Sequence, residues 1–167
     1  LNVVMGCGWY RTAYYPPDLM VDRRSVDSLA DELVGEIEDG VGESGVRPGM
    51  IGEIGTDKPW LSAQEERVHR AVARAARRTG LAITTHAVLS PVGLDQLTIF
   101  EAEGADPARV VIGHADSYPH LDHYLPSLLR PEEVPEGNAK LQASHTASYV
   151  VGPGVAGVVA QLAGAVT

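Results

Sequence analysis

Glu53, His86 and His114 each follow a short apolar run. Gly49-Met50-Ile51-Gly52 delivers Glu53, Leu81-Ala82-Ile83-Thr84-Thr85 delivers His86, and Arg109-Val110-Val111-Ile112-Gly113 delivers His114. Each run reads as a buried parallel strand, with the polar residue at or near its C-terminal end. In α/β barrels that end displays catalytic and metal-binding side chains. Imidazole nitrogen and carboxylate oxygen both ligate a divalent cation such as zinc, and a catalytic site leaves one position open for water. A carboxylate can also bridge two metals and hold them close enough to share a hydroxide nucleophile. A single strand-end histidine is as readily satisfied by a backbone partner. Three potential ligands on successive strands, one β/α unit apart, point instead to a metal site.

Other residues of the right chemistry are less well placed. His120-Leu121-Asp122-His123 has the spacing of a metal clip but reads as the polar start of a helix. His69 lies inside an arginine-rich helix and reads as exposed, and His145 has no identifiable partner. Cys7, between Gly6 and Gly8, is either a loop thiol or, preferably, a small residue at a tight strand end. Lys58 would be the Schiff-base nucleophile of a metal-free barrel enzyme, but it falls beyond the strand that carries Glu53.

The elements that position these residues are legible from periodicity. Asn2-Val3-Val4-Met5 reads as a first strand ended by Gly6 and Gly8, followed by an aromatic-rich loop from Trp9 to Arg24. Ser25 opens a helix with apolar positions Val26, Leu29, Ala30, Leu33, Val34 and Ile37, the i, i+3, i+4 recurrence of an amphipathic helix. Met50 to Ile54 is the second strand. Ser62 with Glu65 has the pattern of a capping box for the next helix. That helix carries the stripe Val68, Ala71, Val72, Ala75 and Ala76 and ends at Gly80. Leu81 to Thr85 is the third strand, Leu94 to Glu103 a third helix closed by Gly104, and Val110 to Ile112 the fourth strand. Such alternation implies parallel strands joined by right-handed crossovers. Beyond Leu129 the pattern decays into a polar, proline-containing stretch and then a Gly/Ala/Val-rich remainder. The expected division is an α/β barrel portion over 1–129 and a divergent C-terminal tail over 130–167.

The 167 residues, 44% hydrophobic and 21% charged, suit one domain with a sizeable core. A net charge of −9 argues against a general nucleic-acid binder, which needs a basic face. The one basic cluster, Arg67, Arg70, Arg74, Arg77 and Arg78, reads as a solvated helix surface. One cysteine excludes an internal disulfide framework and fits a reducing compartment. No secretory signal opens the chain, and Tyr149 to Val166 is too short and too rich in Gly and Pro for a membrane span. The expected location is cytoplasmic, with no membrane and no nucleic-acid partner.

Four stretches carry a resemblance. They are Gly45-Val46-Arg47-Pro48-Gly49-Met50-Ile51-Gly52-Glu53-Ile54-Gly55-Thr56, Thr84-Thr85-His86, Glu103-Gly104-Ala105-Asp106-Pro107-Ala108-Arg109-Val110, and Ile112-Gly113-His114-Ala115-Asp116. In this order, and with Gly6-Cys7-Gly8-Trp9-Tyr10, residues 1 to 125 resemble the phosphotriesterase-related family of the amidohydrolase superfamily, which includes phosphotriesterases and lactonases. The resemblance implies a (β/α)8 TIM barrel, incomplete here at about strands three to six with their helices. It implies two divalent cations, usually zinc, with manganese or cobalt as alternatives. It also implies a metal-bound hydroxide that attacks a small-molecule lactone, carboxylic ester or phosphoester. His86 and His114 match the fifth- and sixth-strand metal ligands, and Glu53 matches the bridging carboxylate of one branch. Tyr10 matches an aromatic position of the substrate pocket in lactonase-like members, or else is a packing aromatic. The first-strand His-x-His pair and the eighth-strand aspartate of the family have no counterpart here, so the catalytic base is unassigned. An incomplete barrel leaves open sheet edges that invite pairing with a second copy. The alternative expectation is therefore a catalytically inactive barrel fragment serving as an oligomerising or binding module.

Overall fold

The computed structural model describes residues 3–88, 90–115, 129–140, 142–143 and 146–147 of the chain. His120, Asp122, His123, His145 and the apolar stretch from Tyr149 lie outside them. Two compact units divide the chain, Leu1–Pro119 and His120–Thr167. Within the second, residues 134–140 are helical. Ahead of that helix, Arg130 is paired with Glu133 at 2.6 Å.

The first unit alternates strand and helix: β1 (Gly6–Cys7), α1 (Val26–Asp39), β2 (Met50–Gly55), α2 (Ala63–Thr79), β3 (Ile83–His86), α3 (Gly93–Ala102) and β4 (Val110–Gly113). The strands form one sheet in the order β1-β2-β3-β4, every pair parallel. Each strand thus lies beside its successor, without the order reversal of a doubly wound sheet, which is the connectivity of a barrel wall. The first strand departs from expectation. Among the described residues strand pairing is confined to Gly6 and Cys7, opposite Met50 and Ile51, with one further bond from Gly49 N to the Met5 carbonyl at 3.0 Å, while Val3 and Val4 are 80% and 65% exposed. An apolar run becomes a strand only where a neighbour's backbone is in register to receive its hydrogen bonds.

Local chemistry sets the helices. Ser25 caps α1 by accepting from Ser28 N at 3.1 Å, and Leu29, Ala30, Leu33, Val34 and Ile37 are buried beneath it. At α2 the Ser62 hydroxyl accepts from Glu65 N at 3.2 Å, and Glu65 Oε2 accepts from Ser62 N at 2.9 Å. Gly80, at φ 74°, ends the helix in the left-handed conformation that glycine adopts without a Cβ penalty. The arginine-rich face is laced rather than simply solvated. Arg70 and Arg74 both pair with Glu103, Arg74 also with Asp27, and Arg78 with Asp31. These pairs tie α2 laterally to α1 and to the residue after α3, each worth about 0–1 kcal/mol at a surface.

His69 corrects an expectation: it is fully buried, one turn beyond Glu65 on the inward face of α2. Its Nδ1–H donates to the Glu65 carbonyl at 2.7 Å, and its ring stacks on Phe100 of α3 at 5.5 Å between centroids. Burial pushes the imidazole down to about 4, so it is neutral at pH 7. Glu65 is also fully buried. Burial alone would raise its carboxyl, but N–H donors from Ser62 and Asp57 and the Ser62 and Thr12 hydroxyls hold it below its ordinary value.

Two predictions follow from this helix. Glu65→Ala strips the acceptors from Ser62 N and Asp57 N, and urea unfolding at neutral pH is expected to register a loss of about 3 kcal/mol. His69 has a folded value of about 4 against 6.5 unfolded, so the unfolded chain binds the extra proton between those pH values. Its contribution is complete above pH 6.5 and is lost progressively as pH falls towards 4. In His69→Gln the decline in stability between pH 6.5 and 4 should be shallower than in the parent by up to about 3 kcal/mol.

Candidate metal centre

The registers of β2, β3 and β4 bring three strand ends together. His86 lies opposite Gly55 on one side and Gly113 on the other. Between Ile51 and Ile54, β2 advances three residues while β3 advances two, from Ile83 to Thr85. This one-residue bulge holds Gly52 and Glu53 and turns the Glu53 carboxylate towards the histidines, as bulges beside sites re-aim side chains. Gly52 is at φ 143°, and a Cβ there would strike the methyl and carbonyl of Thr84. Gly113 sits equally close to the Thr85 carbonyl. His114 leaves β4 at φ 61°, a left-handed conformation in which histidine is enriched among non-glycine residues.

The Glu53 carboxylate spans the two imidazoles. Its Oε1 lies 3.0 Å from His114 Nε2 and its Oε2 lies 3.2 Å from His86 Nδ1. The two rings meet edge-on at 4.6 Å between centroids. One ligand atom from each residue falls within 4.8 Å of the others, close enough for one divalent cation to be held by all three. The side chains grade from shielded to open: His86 is 11% exposed, Glu53 37% and His114 44%. Burial lowers the His86 value, with Glu53 opposing and His114 adding to the shift. A neutral imidazole presents the lone pair that a cation requires.

The loop after β1 covers this group. Tyr10 returns to the end of β2, its carbonyl accepting from Gly55 N, and its hydroxyl lies 3.1 Å from both ring nitrogens of His86. Burial, with Glu53 nearby, raises the phenol above its ordinary value, so it remains protonated. Arg11 lies over the Tyr10 ring at 4.7 Å and the Tyr14 ring at 5.0 Å, and pairs with Asp57 at 3.4 Å. Cys7 is buried, its thiol pushed up to about 11 by burial and by Glu36, which removes it as a nucleophile at neutral pH. Lys58 is exposed in the loop beyond β2, away from the strand positions that carry the cluster.

Glu53, His86 and His114 thus come together as their spacing implied, and Tyr10, singled out by the resemblance, stands against His86. Two contributors escape sequence reasoning. Arg11 lies in a loop without periodicity. Gln96, wholly buried on α3, donates to Thr56 Oγ1 at 2.8 Å and to the His86 carbonyl at 3.2 Å. Its signal was available: a lone amide one turn before Phe100, on the face that α3 buries.

Over residues 1–128 the chain matches the model of the phosphotriesterase family. A phosphotriesterase homology protein from Escherichia coli (strain K12) is 42% identical over 125 residues, covering 75% of this chain and 42% of that protein. An aryldialkylphosphatase from Saccharolobus solfataricus is 32% identical over 124 residues, 74% of this chain and 38% of that one. The crystal structure of the Escherichia coli phosphotriesterase homology protein, complexed with phosphate in its active site, superimposes with a TM-score of 0.72 at 41% identity. That match covers 77% of this chain and 43% of the crystallised one. The chain therefore spans less than half the length of these relatives, and its four parallel strands with their three intervening helices are those of a TIM-barrel fold. By the family match and the singly wound sheet alike, the chain belongs to the phosphotriesterase family.

Proposed function

We propose that this chain carries part of the active site of a metal-dependent hydrolase, with Glu53, His86 and His114 as ligands to divalent metal. The observation that carries the reading is the Glu53 carboxylate, which offers one oxygen towards each of two imidazoles at the ends of neighbouring strands. The donor set of two nitrogens and a carboxylate suits zinc, with manganese or cobalt as alternatives. Bound there, a divalent cation lowers the pKa of water and polarises a carbonyl or phosphoryl oxygen. The substrate class is a small lactone, carboxylic ester or phosphoester. The phosphate in the related Escherichia coli structure and the name of the Saccharolobus relative support the phosphoester among these.

The chain's own residues divide the remaining work. Glu53 offsets cationic charge and fixes the spacing of the two rings. His86, shielded and held neutral, keeps its lone pair for the cation. Tyr10 stands against His86 as a wall of the substrate pocket, its protonated hydroxyl able to donate to a substrate oxygen.

Equilibrium dialysis against zinc, manganese and cobalt, followed by assay on an aryl ester, a lactone and a phosphotriester, tests this reading. The parent chain should retain metal. His86→Ala, His114→Ala and Glu53→Gln should each weaken binding beyond the roughly 10–100-fold typical of outer partners. Parent and variants alike failing to bind metal would sink the proposal. Metal retention without turnover on all three substrates would favour the binding-module alternative. Tyr10→Phe should leave metal content unchanged while raising KM or lowering kcat, the pattern of a substrate contact rather than a ligand.

A further inference from the structure

We propose that Gln96 is a positioning residue for the metal centre, locking the strand ends that carry Glu53 and His86 to one another; this rests on the ligand roles proposed above. Gln96 is on α3, not on either strand, and is wholly buried. Both of its amide hydrogens are used. One goes to Thr56 Oγ1 at 2.8 Å, three residues beyond Glu53, and the other to the His86 carbonyl at 3.2 Å. That carbonyl also accepts from Thr56 N at 3.3 Å. Thr56 and the His86 main chain are therefore held by one side chain as well as by each other.

The orientation of the amide is fixed by chemistry. The His86 carbonyl can only accept, so the NH2 group must face it, and the amide oxygen has no hydrogen-bond partner among the described residues. Burying an amide with an unpaired oxygen costs free energy that a leucine or methionine in the same space would avoid. The two hydrogen bonds offset part of that cost, and what they specifically fix is the β2 end relative to the β3 end, where misplacing Glu53 relative to His86 opens the ligand geometry. Outer partners that orient ligands in this manner typically contribute 10–100-fold to metal affinity. Gln96 touches neither ligand side chain; it acts through the main chain on which His86 is mounted.

The test is cobalt(II) binding to the full chain, read as a dissociation constant and as the visible absorption of the bound ion. Gln96→Met keeps the volume and removes both donors. It should weaken cobalt binding about 10–100-fold and alter the absorption envelope. Thr56→Val, which removes one of the two acceptors, should weaken it by a smaller factor in the same direction. Phe100→Leu, one turn along the same buried face of α3, controls for general loss of stability and should change neither the affinity nor the spectrum by more than about twofold. Gln96→Met and Thr56→Val both matching the parent chain would overturn the inference while leaving the ligand assignment intact. A Phe100→Leu effect as large as that of Gln96→Met would likewise overturn it, reducing Gln96 to a packing residue. Failure of the parent chain itself to bind cobalt would overturn the ligand assignment and the role of Gln96 with it.

Discussion

The extra residue in β2 is the constraint on which the site depends. Parallel pairing alone would carry β2 and β3 forward in step, and side chains would alternate faces with a strict period of two. By advancing three residues against two, β2 breaks that step just before its end, and Glu53 emerges beside His86. The break is feasible because Gly52 has no Cβ to collide with Thr84. Once Glu53 is placed, the rest is geometric. His86 follows from the register of β3, and His114 from the turn that leaves β4 beside a second close glycine contact.

Behind the strand ends lies a layer of buried polar groups rather than a uniform apolar core. Glu65, His69, Thr85 and Gln96 are all fully buried, between or beneath the helices. Glu65 joins the start of α2 to the loop after β2 through Asp57 N, and Asp57 in turn pairs with Arg11 beside Tyr10. A chain of hydrogen bonds and an ion pair therefore runs from the interior of the helix layer to the aromatic loop over the site. Polar networks of this kind rigidify a structure when their members are satisfied, and they are costly when interrupted.

Much of this was legible in the sequence because the underlying rules are local. The caps at Ser25 and Ser62, the stop at Gly80, the apolar stripes and the β/α rhythm each depend on residues within a few positions of one another. The site was legible for a related reason: one ligand type at each of three strand ends is a spacing pattern. The failures have a common physical origin. Asn2 to Met5 is as apolar as a strand, but pairing is decided by a distant backbone. His69 sits among arginines in sequence, yet helix phase turns it inward with Glu65. Arg11 and Gln96 gain their importance from partners on other elements, which no window along the chain contains. The bulge in β2 is of the same kind, since it exists only relative to β3.

The inward face of α2 is built largely from alanine, with Ala71, Ala73 and Ala75 fully buried and Ala76 nearly so. Such a face leaves little volume to spare, and each added methylene would have to displace a neighbouring helix or strand. The Tyr10–Tyr14 segment stands outside this packed layer and is held by polar contacts instead, Tyr10 to Gly55 and His86 and Arg11 to Asp57. The strand ends are thus braced in two unlike ways: tight apolar packing beneath them, which tolerates little change of volume, and directional polar contacts above them, which tolerate little change of chemistry.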